Sequence, residues 1–83
     1  DPDFLFIMGS MFYMLNDEKN TLHYIDRVLE IKPDDVESLS LKLRVHQFLK
    51  ENDIVIDCCK KILAIAPDNF EVRDLISELE SQS

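Results

Sequence analysis

The chain has 83 residues and a formal net charge of −8, so it suits one domain near the lower size limit of an independently stable core. The acidic balance disfavours nucleic-acid backbones and anionic membrane surfaces, because both need a basic footprint. With 46% apolar and 31% charged residues, one glycine and three prolines, the composition predicts a folded all-α protein whose helices are joined by short turns.

An acidic cap begins the first of five predicted helices, and a proline ends the second. The first helix runs from about 3 to 15, with Asp1 as its cap and Pro2 in its first turn, where the missing N–H has no cost. The second runs from about 18 to 32 and ends before Pro33, because a residue that precedes proline is pushed out of the α region.

The remaining three helices begin and end at similar capping residues and prolines. The third begins at the Asp34-Asp35 cap and reaches about residue 50, and a polar turn over 51–53 leads into the fourth. The fourth ends before Pro67. The fifth begins after the caps Asp68 and Asn69 and ends at about residue 79, and 81–83 form a polar tail that we expect to fray.

The first and last helices have opposite apolar patterns. Of the twelve residues from 4 to 15, ten are apolar, and a helix that is apolar all round is buried on more than one side. Twelve residues are too few to span a bilayer, so no membrane insertion is expected. The fifth helix has a single apolar stripe and an otherwise polar surface, as a capping helix needs. The domain is therefore predicted to be closed at its fifth helix and open at its first.

A repeated sequence segment relates these elements at a fixed interval. The segment VLEIKPD at 28–34 recurs as ILAIAPD at 62–68, and the same shift relates Leu5 to Leu39 and Leu15 to Leu49. A fixed 34-residue period indicates a repeat array in which each unit is a helical hairpin that buries its apolar face on its neighbours.

The residues at the repeat positions resemble the tetratricopeptide repeat family. The first unit has Leu5, Met8, Gly9, Phe12, Thr21, Ile25, Val28 and Pro33, and the second has Leu39, Lys42, Leu43, His46, Val55, Cys59, Ile62 and Pro67. The resemblance implies one domain over 1–83, a right-handed α-solenoid of antiparallel helix hairpins. Repeat one covers about 2–35, repeat two about 36–69, and a capping helix about 70–81. Leu43 replaces the small residue that the family prefers, so we expect the second pair to splay.

The resemblance also implies a concave groove formed by the first, third and fifth helices. On this register the groove is lined by Phe6, Ser10 and Tyr13, then Glu37, Ser40, Arg44 and Gln47, then Glu71, Asp74 and Glu78. The lining changes from aromatic to polar to acidic, which favours a ligand with an apolar end and a basic end. A merely solvated face is the alternative interpretation.

One ligand of the family is excluded by the residues at its site. Family members that hold the acidic C-terminal tail of chaperones use Lys, Asn and Arg donors. The matching positions here are Phe6, Ser10, Leu41, Glu71 and Leu75. None of them supplies such a donor, and Glu71 would repel the tail.

No catalytic or metal-binding pattern is present in the sequence. It has no Gly-rich phosphate loop, GxSxG or HExxH motif, so we expect no enzyme activity and no cofactor. His46 and Cys59 are only two ligands, fewer than a zinc site needs. Cys58 and Cys59 are adjacent and suit no disulfide framework, which favours a reducing, cytoplasmic environment.

The first helix is predicted to have a second apolar face. Leu5, Met8, Phe12 and Leu15 are expected to face helix two, where Ile25, Val28 and Leu29 receive them. Phe4, Phe6, Ile7, Met11, Tyr13 and Met14 remain to be covered. An apolar patch of this kind marks an interface, so we predict that a partner, a missing repeat or a second copy covers it.

These patterns leave two functional hypotheses open. The first is a non-catalytic module that binds a peptide or helix of a partner protein. The second is a structural segment of a longer solenoid that mediates self-association through helix one, or scaffolding in a multi-subunit assembly. The predicted partner-binding residues are Phe6, Ser10, Met11, Tyr13, Met14, Arg44, Gln47, Asp74 and Glu78. A soluble monomer favours the first hypothesis, and a concentration-dependent dimer favours the second.

Overall fold

The computed structural model describes residues 1–82, which form five α-helices and no strand. They are α1 (Pro2–Met14), α2 (Glu18–Ile31), α3 (Val36–Phe48), α4 (Asn52–Ile65) and α5 (Phe70–Ser81). The predicted all-α fold with five helices is confirmed. The second turn was predicted at 51–53, but α3 ends at Phe48 and α4 begins at Asn52, so this turn lies at 49–51. Residue 81, predicted to fray, belongs to α5, and its hydroxyl donates to the Glu78 carbonyl at 2.9 Å. The last residue of the predicted tail, Ser83, lies outside the described residues.

Three of the five helices have a side-chain cap: those of α1 and α5 were predicted, and that of α2 was not. The cap predicted for α3 at Asp34-Asp35 was wrong, because the carboxylate of Asp35 accepts the hydroxyl of Ser38 instead of a backbone N–H. Carboxylate oxygens of Asp1 and Asp17 accept the N–H groups of Asp3 (3.0 Å) and Asn20 (3.1 Å). The amide oxygen of Asn69 accepts the N–H of Val72 at 3.2 Å. These bonds satisfy backbone donors that have no partner within the helix, and so they fix where α1, α2 and α5 begin.

The 34-residue period of the sequence is also a period of the backbone. Helices α1, α3 and α5 begin at positions 2, 36 and 70, and α2 and α4 begin at 18 and 52. Asn16 and Lys50, which are equivalent in this period, both have a positive φ, at 58° and 60°. Lys32 and Ala66, the caps that end α2 and α4, share φ −129° with ψ of 81° and 80°. Similar local sequences thus produce the same turns twice.

Each helix packs against the next one in the chain, and α1 also touches α3. Helices α1 and α2 run antiparallel, because residues near the start of α1 lie beside Val28 and Lys32, while Tyr13 and Met14 lie beside Thr21. The whole fold is compact, with a radius of gyration of 12.5 Å. No helix among residues 1–82 is long and apolar enough to cross a membrane.

Each helix pair has its own layer of buried side chains. In α2 the buried residues are Thr21, Ile25 and Val28. In α4 the equivalent residues of the second repeat, Val55, Cys59 and Ile62, are fully buried as well. Together with Leu39, Leu43, Cys58 and Val72, the α4 residues form a cluster that joins α3, α4 and α5.

The first helix pair is held close by a glycine. A Cβ on Gly9 would lie 2.8 Å from Cδ1 of Ile25, so no larger residue fits there without movement. The equivalent positions in the second pair hold Leu43 and Cys59, a large residue opposite a small one. The backbones of α1 and α2 approach each other closely over more of their length than those of α3 and α4, in the direction expected from Leu43.

Contacts of α1 agree only in part with the expected ones. Leu15 was predicted to face α2, but it is 71% exposed. The reason is that α1 ends at Met14, and Leu15 is the residue that leads the chain into the turn. Phe12 stacks on Tyr24 with ring centroids 5.6 Å apart, a contact that the sequence did not predict.

One apparent departure from the repeat pattern has a structural reason. Lys42 stands where the first unit has the apolar Met8. Its ammonium group lies 2.8 Å from a carboxylate oxygen of Asp26 on α2. The side chain therefore ties α3 to the preceding helix by an ion pair instead of by apolar packing.

Candidate functional site

A groove follows the face that α1, α3 and α5 share, and it consists of two adjoining hollows. The first hollow lies between α1 and α3 and has a volume of about 480 Å³. It is lined by Phe6, Ser10, Tyr13, Met14, Val36, Glu37, Ser40, Leu41 and Arg44. Its volume falls within the range of ligand-binding clefts, and most of its lining on the α1 side is apolar.

The second hollow lies between α3 and α5 and is smaller, at about 170 Å³. It is lined by Ser40, Leu43, Arg44, Gln47, Asn69, Glu71, Val72 and Leu75. Ser40 and Arg44 line both hollows, so the two adjoin along α3 with a basic residue at their boundary.

The structure brings most of the predicted groove residues together, but not all of them. Phe6, Ser10, Tyr13, Met14, Arg44 and Gln47 line the groove. Asp74 and Glu78 are exposed on α5 but lie outside the lining of both hollows. Glu71 does line the second hollow, so the acidic end of the groove begins there and continues on the solvent side of α5.

The lining also includes residues that the sequence analysis did not place there. Val36, Leu41 and Leu43 form much of the apolar floor on the α3 side, and Asn69 adds its side chain at the start of α5. Leu41 was considered only as an absent chaperone-tail donor. The signal that could have found these residues is the 34-residue shift, since Leu41 and Leu75 are equivalent positions.

A second surface feature is an apolar stripe on the outer side of α1. We call Phe4, Ile7, Met11 and Met14 the α1 stripe. Their exposed fractions are 60%, 56%, 53% and 78%. Of the other residues predicted to need a cover, Tyr13 is 38% exposed and Phe6 is only half-buried, because both also line the groove. Five of the six residues predicted to need a cover are thus exposed among residues 1–82, and their cover by a partner stays a prediction.

The ends of α1 and α3 form a third hollow that the sequence analysis missed. Tyr13 and Met14 line it together with Val45 and Phe48, and polar residues of the α1–α2 turn close it. Phe48 is 72% exposed. Since Phe48 is the repeat equivalent of Met14, the period could have revealed it.

Both cysteines and one histidine, His46, are buried away from these surfaces. Burial raises the pKa of both the Cys58 and the Cys59 thiols, which lowers the fraction of reactive thiolate. The Nδ1 atom of His46 lies 3.0 Å from a carboxylate oxygen of Glu51, the acid that precedes α4. Among residues 1–82 no group of three or more His, Cys, Asp and Glu side chains is placed to hold a metal ion.

Comparison with known proteins gives no assignment of the chain to a family. No family model matches the sequence. The search of curated proteins also gives no match.

Proposed function

We propose that the chain is a non-catalytic protein-interaction module of the tetratricopeptide type, with two helical repeats and a capping helix stacked as a right-handed solenoid. The support is the 34-residue period. It relates helix starts, the left-handed turn residues and the buried positions of the two pairs. A repeat stack of this kind buries a continuous core and leaves an extended groove for binding.

The groove is the proposed binding site, and the observation that carries the proposal is that its two hollows adjoin along α3, one beside α1 and the other beside α5. The apolar hollow beside Phe6 and Tyr13 accepts an apolar or aromatic segment. The acidic residues Glu71, Asp74 and Glu78 favour a basic segment at the other end. The ligand class is therefore a peptide or helix with an apolar end and a basic end.

The environment proposed for this module is reducing and cytoplasmic. Both cysteines are free and buried in the α3–α4–α5 cluster. Oxidation of either thiol would introduce a polar group into a packed interior, which is unfavourable. An environment that keeps thiols reduced suits this core.

The test is a charge reversal on α5. Asp74→Lys and Glu78→Lys together should weaken binding of a fluorescein-labelled peptide that has Phe and Leu at one end and Lys and Arg at the other. The salt dependence of binding should also become shallower, because fewer opposite charges face the ligand. Fluorescence anisotropy over a range of salt concentrations measures both effects, and circular dichroism checks that helicity is unchanged.

A matched control reverses two acids outside the groove. Glu30 on α2 and Asp53 on α4 are exposed, and Glu30→Lys with Asp53→Lys changes the net charge by the same amount. If both double variants lose affinity equally, only the total charge matters. An affinity for the labelled peptide that does not change in the α5 variant assigns that face to solvent.

The second candidate function is a structural segment of a larger helical stack. The α1 stripe favours it, because such a face on a stacked helix is normally covered by a neighbour. Self-association through α1 would support this candidate, and sedimentation over a range of protein concentrations measures it.

A further inference from the structure

The α1 stripe has counterparts on the two later helices of the same series. One 34-residue shift relates the stripe residues Phe4, Ile7 and Met11 to Ser38, Leu41 and Val45 on α3. These are only 0%, 7% and 1% exposed. A second shift gives Val72, Leu75 and Leu79 on α5. Val72 is buried, and Leu75 and Leu79 are half-buried against the α3–α4–α5 cluster. The same helical face is therefore covered on α3 and α5 and uncovered on α1.

On both α3 and α5 this face is covered by the second helix of the preceding pair. Helix α2 packs on α3 and helix α4 packs on α5, so the second helix of one pair contacts the first helix of the next. Thr21 of α2 lies in one hollow with Val45 of α3, and Leu63 of α4 packs on the cluster that contains Val72. An α-helix with β-branched residues and leucine on one face is thus the kind of element that fits this surface.

Charge and shape disfavour a second copy of the chain as the cover. Two copies that each carry a net charge of −8 repel one another. In a head-to-tail arrangement α5 would meet α1, and the charged residues Glu71, Arg73 and Asp74 are exposed on α5 beside one large exposed apolar residue, Phe70. A helix with basic residues on its polar side is attracted by the same net charge.

We propose that the α1 stripe is a second binding surface, adjoining the groove at Met14, for an amphipathic α-helix of another protein. The apolar face of that helix takes the position on α1 that α2 takes on α3. Its polar face is basic. The stripe meets the groove at Met14, which lines the first hollow, whereas Phe4, Ile7 and Met11 lie outside the lining of both hollows.

The test uses helical peptides that copy the face of α4. The probe is a stapled peptide with the sequence of 51–66, in which both cysteines are alanine and the three acids are changed by Glu51→Lys, Asp53→Lys and Asp57→Lys. A second stapled peptide keeps those acids and carries Lys60→Glu and Lys61→Glu, so it has the same apolar face with the opposite charge. The basic peptide should bind the full chain about tenfold more tightly at about 50 mM salt, and the difference should shrink at about 500 mM.

Variants of the full chain then locate the bound peptide. Met11→Glu places a charge in the middle of the stripe and should weaken the basic peptide about tenfold or more. Phe70→Glu removes an exposed apolar side chain elsewhere (71% exposed) and should leave the affinity within about twofold. Arg44→Glu, at the centre of the groove, should likewise not weaken this peptide. Circular dichroism of each variant checks that the helices are intact.

Three results would overturn the proposal. The first is a basic peptide that does not bind saturably, or binds Met11→Glu as well as the unchanged chain. The second is a loss of binding in Arg44→Glu alone, which would place the peptide in the groove. The third is sedimentation that shows a concentration-dependent dimer of the unchanged chain and a monomer of Met11→Glu, which would assign the stripe to a second copy.

Discussion

The two helix pairs of this protein have nearly the same backbone but fill the space between their helices in opposite ways. In α1–α2 a glycine lies against the large side chain of Ile25. In α3–α4 the equivalent positions are Leu43 and Cys59, so the large residue is on the other helix. Each pair therefore combines one large and one small residue at this point of its interface, which suits a close-packed interior.

The pairs differ also in what surrounds them. Val45 on α3 is buried because the α1–α2 pair lies before it, whereas its equivalent on α1, Met11, is 53% exposed. The amino-acid types at the two positions are both apolar. Burial is therefore decided by the neighbouring unit, and an apolar residue on α1 is the better indicator of an interaction site.

The largest expected effect comes from placing on α3 the glycine that α1 has at the equivalent position. Leu43→Gly removes a buried side chain and adds the entropic cost of glycine in a helix, so we expect a loss of about 3–6 kcal/mol in the free energy of unfolding. Adding Cys59→Ile supplies volume from the opposite helix, as Ile25 does beside Gly9. The double variant should then recover at least about 1 kcal/mol relative to Leu43→Gly.

Urea denaturation of the three variants measures this coupling. Cys59→Ile alone is the control, and overpacking should make it less stable by about 1–3 kcal/mol. If the losses of the two single variants simply add in the double variant, the two positions do not share one space. The comparison between the helix pairs would then be a coincidence of residue size.

Features set by local sequence could be predicted, and features set by neighbours could not. Helix ends followed from prolines 33 and 67 and from caps such as Asp1 and Asn69, because capping acts within one turn. The expected position of Leu15 was wrong, since helical periodicity does not show at which residue α1 gives way to the turn. In the groove, the residues of α1 followed from the register of the family resemblance, which gave only part of the α3 lining and missed Val36, Leu41 and Leu43. The positions of Asp74 and Glu78 depend on how α5 is rotated against α4, which no local pattern fixes.

The next comparison concerns the caps of α3 and α5, which occupy equivalent positions in the repeat. Asn69 bonds a backbone N–H, whereas the carboxylate of Asp35 accepts the hydroxyl of Ser38, which is fully buried. Asp35→Ala should cost about 1–3 kcal/mol, because a buried hydroxyl loses its acceptor. Asn69→Ala should cost about 1 kcal/mol, the usual value of a cap.

A double variant separates the two explanations for Asp35. If the cost of Asp35→Ala comes from the unpaired hydroxyl, Ser38→Ala added to it should restore part of the stability, as thermal denaturation would show. An equal loss with and without Ser38→Ala would mean that Asp35 acts in another way, such as through the dipole of α3.

The smallest expected effect is a loss of stability at low pH. It concerns the residue before α2, Asp17, and not its equivalent before α4, Glu51. The side-chain amide and the backbone N–H of Asn20 donate to Asp17 and hold the pKa of its carboxyl below the ordinary value of 3.8. Glu51, the residue at the same position before α4, forms no such cap. A carboxyl whose pKa is lower in the folded state stabilises the fold fully above the pKa of the unfolded chain. That stabilisation is lost as the pH falls through the folded-state pKa.

Replacing the titrating cap by an amide tests this contribution. Asp17→Asn keeps an oxygen acceptor but does not titrate, so its melting temperature should fall less than that of the unchanged chain when the pH is lowered below about 4. Asp34→Asn, which removes an exposed acid from the α2–α3 turn, is the matched control and should follow the unchanged chain. Identical acid profiles for Asp17→Asn and Asp34→Asn would show that the cap of α2 makes no contribution that depends on its charge.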